Sequence, residues 1–399
     1  MLVVILISAC KTHKSSICMQ LISTLLSKRI LFALFFLVCS LAVLGQTGSL
    51  SGRVIDAGTE EPLPFANVFI SSTTMGSTTA LDGSFLIERI PFGAVQLVVS
   101  FVGYKHQTFN FDFTESFNLS TAISLEPALE ELSTIEVTSK KDKKWERNLS
   151  KFTKVFLGET EFSKGCKILN PWVLEFAEDK DNGLVATASR PVEIENHALG
   201  YKVFYHLRLF KANSTYFFFT GETRFEEMTP ADEKQKSQWI KNRVIAFKGS
   251  TRHLFLAILY EYIQKGQLQQ EGFALLQEKF PREGPIVRHP DLAKTKKEIL
   301  IDYPMENLVG ASYRTGLYRI LLSGKVEVHY KREQGVPKNT IYNDTLAEVS
   351  WLEVKEGYVD VTKTGLNQKP DQLLVSGAMS QGWVAMMLPN DYDPASNNP

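Results

Sequence analysis

The sequence predicts an all-β sandwich of seven strands followed by a larger α+β domain with antiparallel sheet, and three observations predict it. Residues 49–126 are short alternating apolar runs punctuated by turn residues. Beyond about residue 149 similar runs mix with two stretches carrying helix start and stop signals. A chain of 399 residues also has room for two cores, at about 100 to 200 residues per domain. The expected order is signal peptide 1–45, sandwich 46–126, linker 127–148, α+β domain 149–393 and disordered tail 394–399.

Lys28 and Arg29 precede "ILFALFFLVCSLAVLG", Ile30 to Gly45, an apolar run as long as a signal-peptide core and short of the roughly 20 residues that span a bilayer. Ser40, Ala42 and Gly45 supply small residues for cleavage, expected near Gly45/Gln46. The charged start lies far into the chain, so either the presequence is long or translation begins at Met19. A retained anchor and a lipid anchor are the alternatives: Ile7-Ser8-Ala9-Cys10 has a lipoprotein-like order without a preceding charge, and Cys39 follows Val38 where a small residue belongs. The expected address is exported, with no transmembrane span in the mature chain.

Composition narrows the class. Hydrophobic content of 44% and charged content of 22% are those of a globular protein. The first 45 residues hold Lys11, Lys14, Lys28 and Arg29 and no acid, which leaves 40 basic against 44 acidic residues in the rest. That balance gives no support for nucleic-acid binding, which needs a clustered basic surface. Cys10, Cys18 and Cys39 lie in the presequence, so Cys166 remains alone and neither an internal disulfide nor a cysteine zinc site can form. Cys166 reads as a small buried apolar residue.

In the first domain "SLSGRVID" opens the strand series. "PFANVFIS" follows, with Ala66, Val68 and Ile70 on one face and Phe65, Asn67 and Phe69 on the other. Asp82-Gly83 predicts a hairpin between "GSTTA" and "SFLIERI". Ile90-Pro91-Phe92-Gly93 predicts the next turn, because proline presets φ at its second position and glycine suits the fourth. "AVQLVVSFV" alternates, Gly103 breaks it before "YKHQTFNF", and "LSTAISLE" closes the series.

"SGRVID", "EPLPFANVFI", "TTALDGSF", "IPFGAVQLVVSFVGY" and "AISLEPALEEL", in that order, resemble the carboxypeptidase regulatory-like domain, a transthyretin-like sandwich of secreted bacterial proteins. The resemblance covers about eighty residues. It implies the fold and little chemistry, since the module accompanies catalytic domains and nutrient receptors without reacting itself. "LEELSTIEVTS" resembles the segment after this sandwich in TonB-dependent outer-membrane receptors, but the chain is too short for their barrel of about 22 strands. The resemblance places the protein in the periplasm or at the outer membrane of a Gram-negative bacterium. The lysine-rich stretch Lys140 to Lys144 reads as an exposed connector, or as a basic contact for a membrane or partner.

The second domain opens with "VLEFAEDKDNGLVATAS", a hairpin turned at Asn182-Gly183, and "LGYKVFYHLRLFKANSTYFFFTGETRF", a hairpin turned at Ala212 to Ser214. Thr229 as cap, Pro230 at the first helical position and Asp232 in the first turn predict a helix through Trp239 to about Phe247. Ser250 caps a second helix that stops at Gly266. "KEILIDY", "GLYRILLSGKVEVHYKRE" and a hairpin "AEVSWLEVKEGYVDVT" follow, and "PNDYDPASNNP" is expected to fray. "WERNLSKFTKVFLGET", "CKILNPWVLEF", "IENHALGYKVFYHL" and "FKGSTRHLFLAILY" resemble recurring segments of a group of exported bacterial proteins, a likeness that implies no activity.

The chemistry-bearing residues form no strong pattern. His13, His106, His197, His206, His253, His289 and His329 begin no HxxE or HExxH spacing, so no zinc site is expected. Ser380 in "SGAMSQGW" lacks the glycine two positions before it that a nucleophile elbow needs. No phosphate loop or dinucleotide fingerprint occurs, and no cofactor is expected. Glu226/Glu227 and Glu130/Glu131 read as solvated surface, and the aromatics Tyr216 to Phe219 as a fully buried strand first and a ligand platform second. The one suggestive cluster is "FKGSTRH": Lys248, Ser250, Arg252 and His253 at a helix N-terminus, either an anionic-ligand site or a cap with its neighbours.

These readings point to a noncatalytic envelope protein that binds an envelope partner or small ligand, its sandwich serving as spacer or docking surface. One rival is a hydrolase with Arg252, His253 and Ser380 as first candidates; the other is an accessory protein of a TonB-dependent receptor system.

Overall fold

The turn residues of the first region reverse the chain where the sequence places them, but the strands on either side of a turn are not always paired. A computed structural model describes residues 47–113, 117–118, 122–128, 143–180, 182–213, 217–280, 299–313, 316–331, 348–368 and 372–394. The expected signal peptide, Glu130/Glu131, residues 140–142 of the lysine-rich stretch, Ser214, Tyr216, His289 and the tail from 395 lie outside the described residues.

The first domain holds eight strand segments among these residues, against the seven expected: β1 (Thr47–Asp56), β2 (Asn67–Ile70), β3 (Gly76–Thr78), β4 (Ser84–Pro91), β5 (Gly93–Ser100), β6 (Gln107–Phe113), β7 (Phe117–Asn118) and β8 (Ile123–Leu125). β4 and β1 form one sheet with β7 and β8, which both pair with β1 in parallel; β3, β2, β5 and β6 form the other. Asp82-Gly83 therefore makes its turn without a hairpin ladder, carrying the chain from one sheet to the other, and the Pro91 turn carries it back. Local turn chemistry dictates reversal, while the choice of neighbour belongs to the two-sheet core. Leu50, Val54, Val68, Ile70, Phe85, Ile87, Leu97 and Val99 fill that core. Tyr104 ties the sheets by donating its hydroxyl to Asp56 Oδ2 at 2.5 Å, while Asp56 Oδ1 accepts from the amides of Gly58 and Thr59. The Tyr104 hydroxyl, followed by those amides, holds the Asp56 carboxyl below the usual carboxylate range.

Helix α1 (Lys143–Leu157) begins inside the expected linker and buries Phe152, Phe156 and Leu157. It packs on one face of a six-stranded sheet made of β9 (Cys166–Ile168), β10 (Leu174–Glu178), β11 (Leu184–Ala188), β12 (Val192–Asn196), β13 (Tyr201–Ala212) and β14 (Phe217–Glu227). Both predicted hairpins, β10/β11 and β13/β14, form antiparallel ladders. β13 pairs with β11 and β12 along one side and β14 along the other, which leaves β14 at the sheet margin. Phe152 and Phe156 meet Phe210 and Tyr205 with ring centroids 4.8 and 5.0 Å apart.

Helix α2 (Glu233–Phe247) starts three residues later than expected, because Asp232 rather than Thr229 caps it, accepting from the Gln235 amide at 2.7 Å. Its carboxylate also suits the positive end of the helix. Trp239, Asn242 and Arg243 donate to the carbonyls of His197, Ala198 and Leu199 and clamp the β12–β13 turn. Gly200, at φ +73°, lies directly under the Trp239 ring.

Helix α3 (Thr251–Ile263), capped by Ser250 as expected, and the single turn α4 (Gln267–Gln270) lead into a third body. One sheet holds β15 (Phe273–Glu278), β16 (Leu300–Asp302), β19 (Lys325–Tyr330), β20 (Glu348–Val354) and β22 (Leu373–Gly377); the other holds β17 (Val309–Ala311), β18 (Leu317–Leu321) and β21 (Tyr358–Thr362). Leu254, Phe255 and Ile258 of α3 join both sheets in one core. The expected hairpin "AEVSWLEVKEGYVDVT" is thus no hairpin: β20 pairs with β19 and β22, and β21 pairs with β18.

Candidate functional site

The "FKGSTRH" cluster sits at the corner between α2 and α3, and the chain uses it to hold itself together. Lys248 closes α2, its amide donating to Val244 O at 2.9 Å, and the Ser250 hydroxyl accepts from the His253 amide at 3.2 Å. His253 is buried among the rings of Phe247, Phe273 and Tyr330. Its Nδ1 accepts from the Gly249 amide at 3.0 Å, which assigns the proton to Nε2, 3.1 Å from Glu271 Oε2.

Arg252 donates to three backbone carbonyls, Nε to Thr364 at 3.0 Å and the two terminal nitrogens to Pro389 and Tyr392 at 3.3 and 2.9 Å. Burial pushes its guanidinium down to about 10, still charged at neutral pH. The four residues lie together at this corner, where Ser250, Arg252 and His253 make hydrogen bonds to the chain itself. Ser380 stands apart, donating its hydroxyl to Gly377 O at 2.8 Å within a short turn. The Cys166 thiol, 3.5 Å from Phe162 O, is pushed up to about 12 by burial.

Two of the three carbonyls that Arg252 binds, those of Pro389 and Tyr392, belong to the segment expected to fray. Asn390 donates its amide to Ser72 O at 2.6 Å, Asp391 accepts from the Thr74 amide at 3.0 Å and from the Thr74 hydroxyl, and Tyr392 packs with Phe247 and Leu256. Polarity misled here because the polar groups have partners within the fold.

Those contacts belong to a joint between the first sandwich and the six-stranded sheet. The loop after β2 lies along the margin of β14: Ser72 N donates to Thr223 O at 2.6 Å, Phe225 N donates to Thr73 O at 3.0 Å, and Thr73 and Arg224 form a parallel bridge. Ser72 adopts φ +59°, an unusual conformation for a residue with a side chain, and its carbonyl thereby serves the C-terminal segment. The sandwich in effect adds a short strand to an open edge.

Around this backbone pairing lies a cluster of rings and charges. Phe69 is 1% exposed yet is no part of the sandwich core; its ring stacks on His206 at 5.6 Å. His106 lies 5.6 Å from His206, ring to ring. Glu222, 2% exposed, accepts from Arg208 at 2.8 Å through Oε1, while Oε2 has no hydrogen-bond partner and lies 3.8 Å from His106 Nε2. Burial first, then the charges of His106 and Arg224, lowers His206 to about 4.

The sequence expectations missed this joint. Phe69 and His206 each occupy the outward positions of alternating strands, where the pattern predicts solvent. Phe217 to Phe219 also differ from expectation: Phe218 is 45% exposed, and Phe217 and Phe219 are half-buried against Trp383. The strand lies at a sheet margin and is not covered on both faces. Among the described residues no three His, Cys, Asp or Glu side chains gather to hold a metal, and no helix is long and apolar enough to cross a membrane.

Comparisons with known proteins bear on the first domain. The family described as CarboxypepD_reg-like domain matches residues 50–137. No curated protein matches the chain. Among solved structures, a type II cohesin–X-dockerin complex from Acetivibrio cellulolyticus is 20% identical over 20% of this chain and 56% of that one, with a TM-score of 0.18. This chain thus covers little over half of that structure's length. A Bacteroides uniformis protein provisionally assigned to carbohydrate binding is 8% identical over 45% of this chain and 99% of its own, TM-score 0.17. A DUF3823 family protein from the same species is 8% identical over 79% of this chain and 99% of its own, TM-score 0.15. At scores this low none of the three assigns the whole chain a fold or a role. The strands β1 to β8 are identified as a CarboxypepD_reg-like domain.

Proposed function

We propose that this is an exported, noncatalytic protein of the cell envelope, in which the CarboxypepD_reg-like sandwich is a rigid docking or spacing module fixed to an α+β body that binds a partner or small ligand. The observation that carries the reading is the joint. Backbone pairing of Ser72 and Thr73 with β14, the Phe69–His206 stack and the C-terminal segment together fix the sandwich in one orientation. A module held this way can present its outer loops at a set distance, which a flexible tether cannot do. The apolar run Ile30 to Gly45 supports export to the periplasm or outer membrane.

Arg252, His253 and Ser380, the groups that would serve a hydrolase, make hydrogen bonds within the fold. The test is fractionation of the producing cells together with a screen of the purified full chain against ester, peptide and glycoside substrates. Recovery in the envelope fraction without turnover is expected. Turnover that vanishes on Arg252→Ala, His253→Ala or Ser380→Ala, with the fold intact by circular dichroism, would overturn the reading.

A further inference from the structure

The joint has one group whose charge is set against docking. His206 projects from the outer face of β13 and is capped by the Phe69 ring of the sandwich. Its titratable and charged neighbours come from three elements: His106 from the segment before β6, Arg208 from its own strand, and Glu222 and Arg224 from β14. Arg224 is already paired with Glu226, and one oxygen of Glu222 is already held by Arg208. The remaining Glu222 oxygen faces His106. A proton arriving on His206 thus meets the Arg224 guanidinium and a second imidazole, while Glu222, opposite it on β14, is held by Arg208 on one oxygen and faces His106 with the other.

We propose that the joint between the CarboxypepD_reg-like sandwich and the six-stranded sheet is acid-sensitive, with His206 as the group whose protonation loosens it. The inference rests on the docked geometry and is independent of whether the protein is catalytic.

The direction follows from linkage. His206 freed from the joint takes up its proton near the ordinary value of 6.5, and docked His206 only near about 4. Between those values the undocked form binds more protons, so docking is strongest above about pH 6.5, weakens as pH falls through that interval and changes no further below about 4. For a single group with this shift, the opening equilibrium should rise by about 70-fold from pH 7.5 to 4.5.

Amide hydrogen exchange of the full chain measures that opening at the joint itself. After correction for intrinsic rates, protection of the Ser72, Phe225 and Asn390 amides should fall by tens of fold from pH 7.5 to 4.5, while that of Val99 in the sandwich core should change far less. His206→Phe keeps a ring against Phe69 and removes the titration; its joint amides should lose less than about 5-fold over the same interval. His206→Gln serves the same purpose if the larger ring misfolds. An unchanged parent protein would overturn the proposal, and so would an undiminished pH response in both variants. A response abolished by Glu222→Gln and retained without His206 would assign the sensitivity to the carboxylate and overturn it equally.

Discussion

Replacing Arg252 by alanine separates a structural guanidinium from a ligand-binding one. The substitution removes hydrogen bonds to the carbonyls of Thr364, Pro389 and Tyr392. A hydrogen bond to a charged group contributes about 1.5 to 3 kcal/mol, but here one of the three is long, at 3.3 Å, and another is exposed. The freed carbonyls also regain water once the C-terminal segment lifts. A loss of about 2 to 3 kcal/mol is therefore expected, lowering the melting temperature by several degrees. Urea unfolding followed by tryptophan fluorescence reads it, with Trp383 shortly before Pro389 in the chain. Arg252→Lys should recover little, because one ammonium group cannot span three separated acceptors. If Arg252→Ala unfolded within about 0.5 kcal/mol of the parent and lost binding of phosphate or sulfate seen in the parent, the structural account would be refuted and the anionic-site reading restored.

Three further outcomes follow from the same geometry. Gly200→Ala would place a methyl group 2.2 Å from the Trp239 ring at φ +73°, so it should displace the indole and cost about 2 to 4 kcal/mol by denaturant unfolding; a neutral result would contradict that packing. Phe69→Ala should leave the sandwich core intact but weaken docking by about 3 kcal/mol, seen as separate thermal transitions for the sandwich and the rest; one unshifted transition would count against the joint. Cys166, its thiol pushed up to about 12 by burial, should resist maleimide at pH 7.5 in the native protein and react after unfolding, as mass spectrometry would read.

Several local features were legible because their causes are local. Ser250 caps α3 where the sequence places it, Asn182-Gly183 reverses β10 into β11, and the alternation of Val68 and Ile70 faces the sandwich core. At the α2 start the sequence points to Thr229 as the cap with Asp232 in the first turn, and the Asp232 carboxylate took the cap instead. At "FKGSTRH" both readings remained open in sequence, because a cap and an anion site use the same residue types. The three-dimensional positions of Thr364, Pro389 and Tyr392 supply the partners that Arg252 uses.

What the sequence by itself determined is the kind of module at the N-terminal end: turn residues and alternation define a sandwich from interactions within a few residues of one another. What only the tertiary structure decided is which strands pair, as at Asp82-Gly83 and at β20/β21, and how the bodies meet. Phe69 and His206 stack from positions 137 apart in the chain, and Thr74 and Asp391 meet across 317, distances at which residue spacing carries no signal. Such contacts exist because an unpaired sheet edge and an outward aromatic ring lower their free energy by finding each other, and that choice is made by the folded surfaces as wholes.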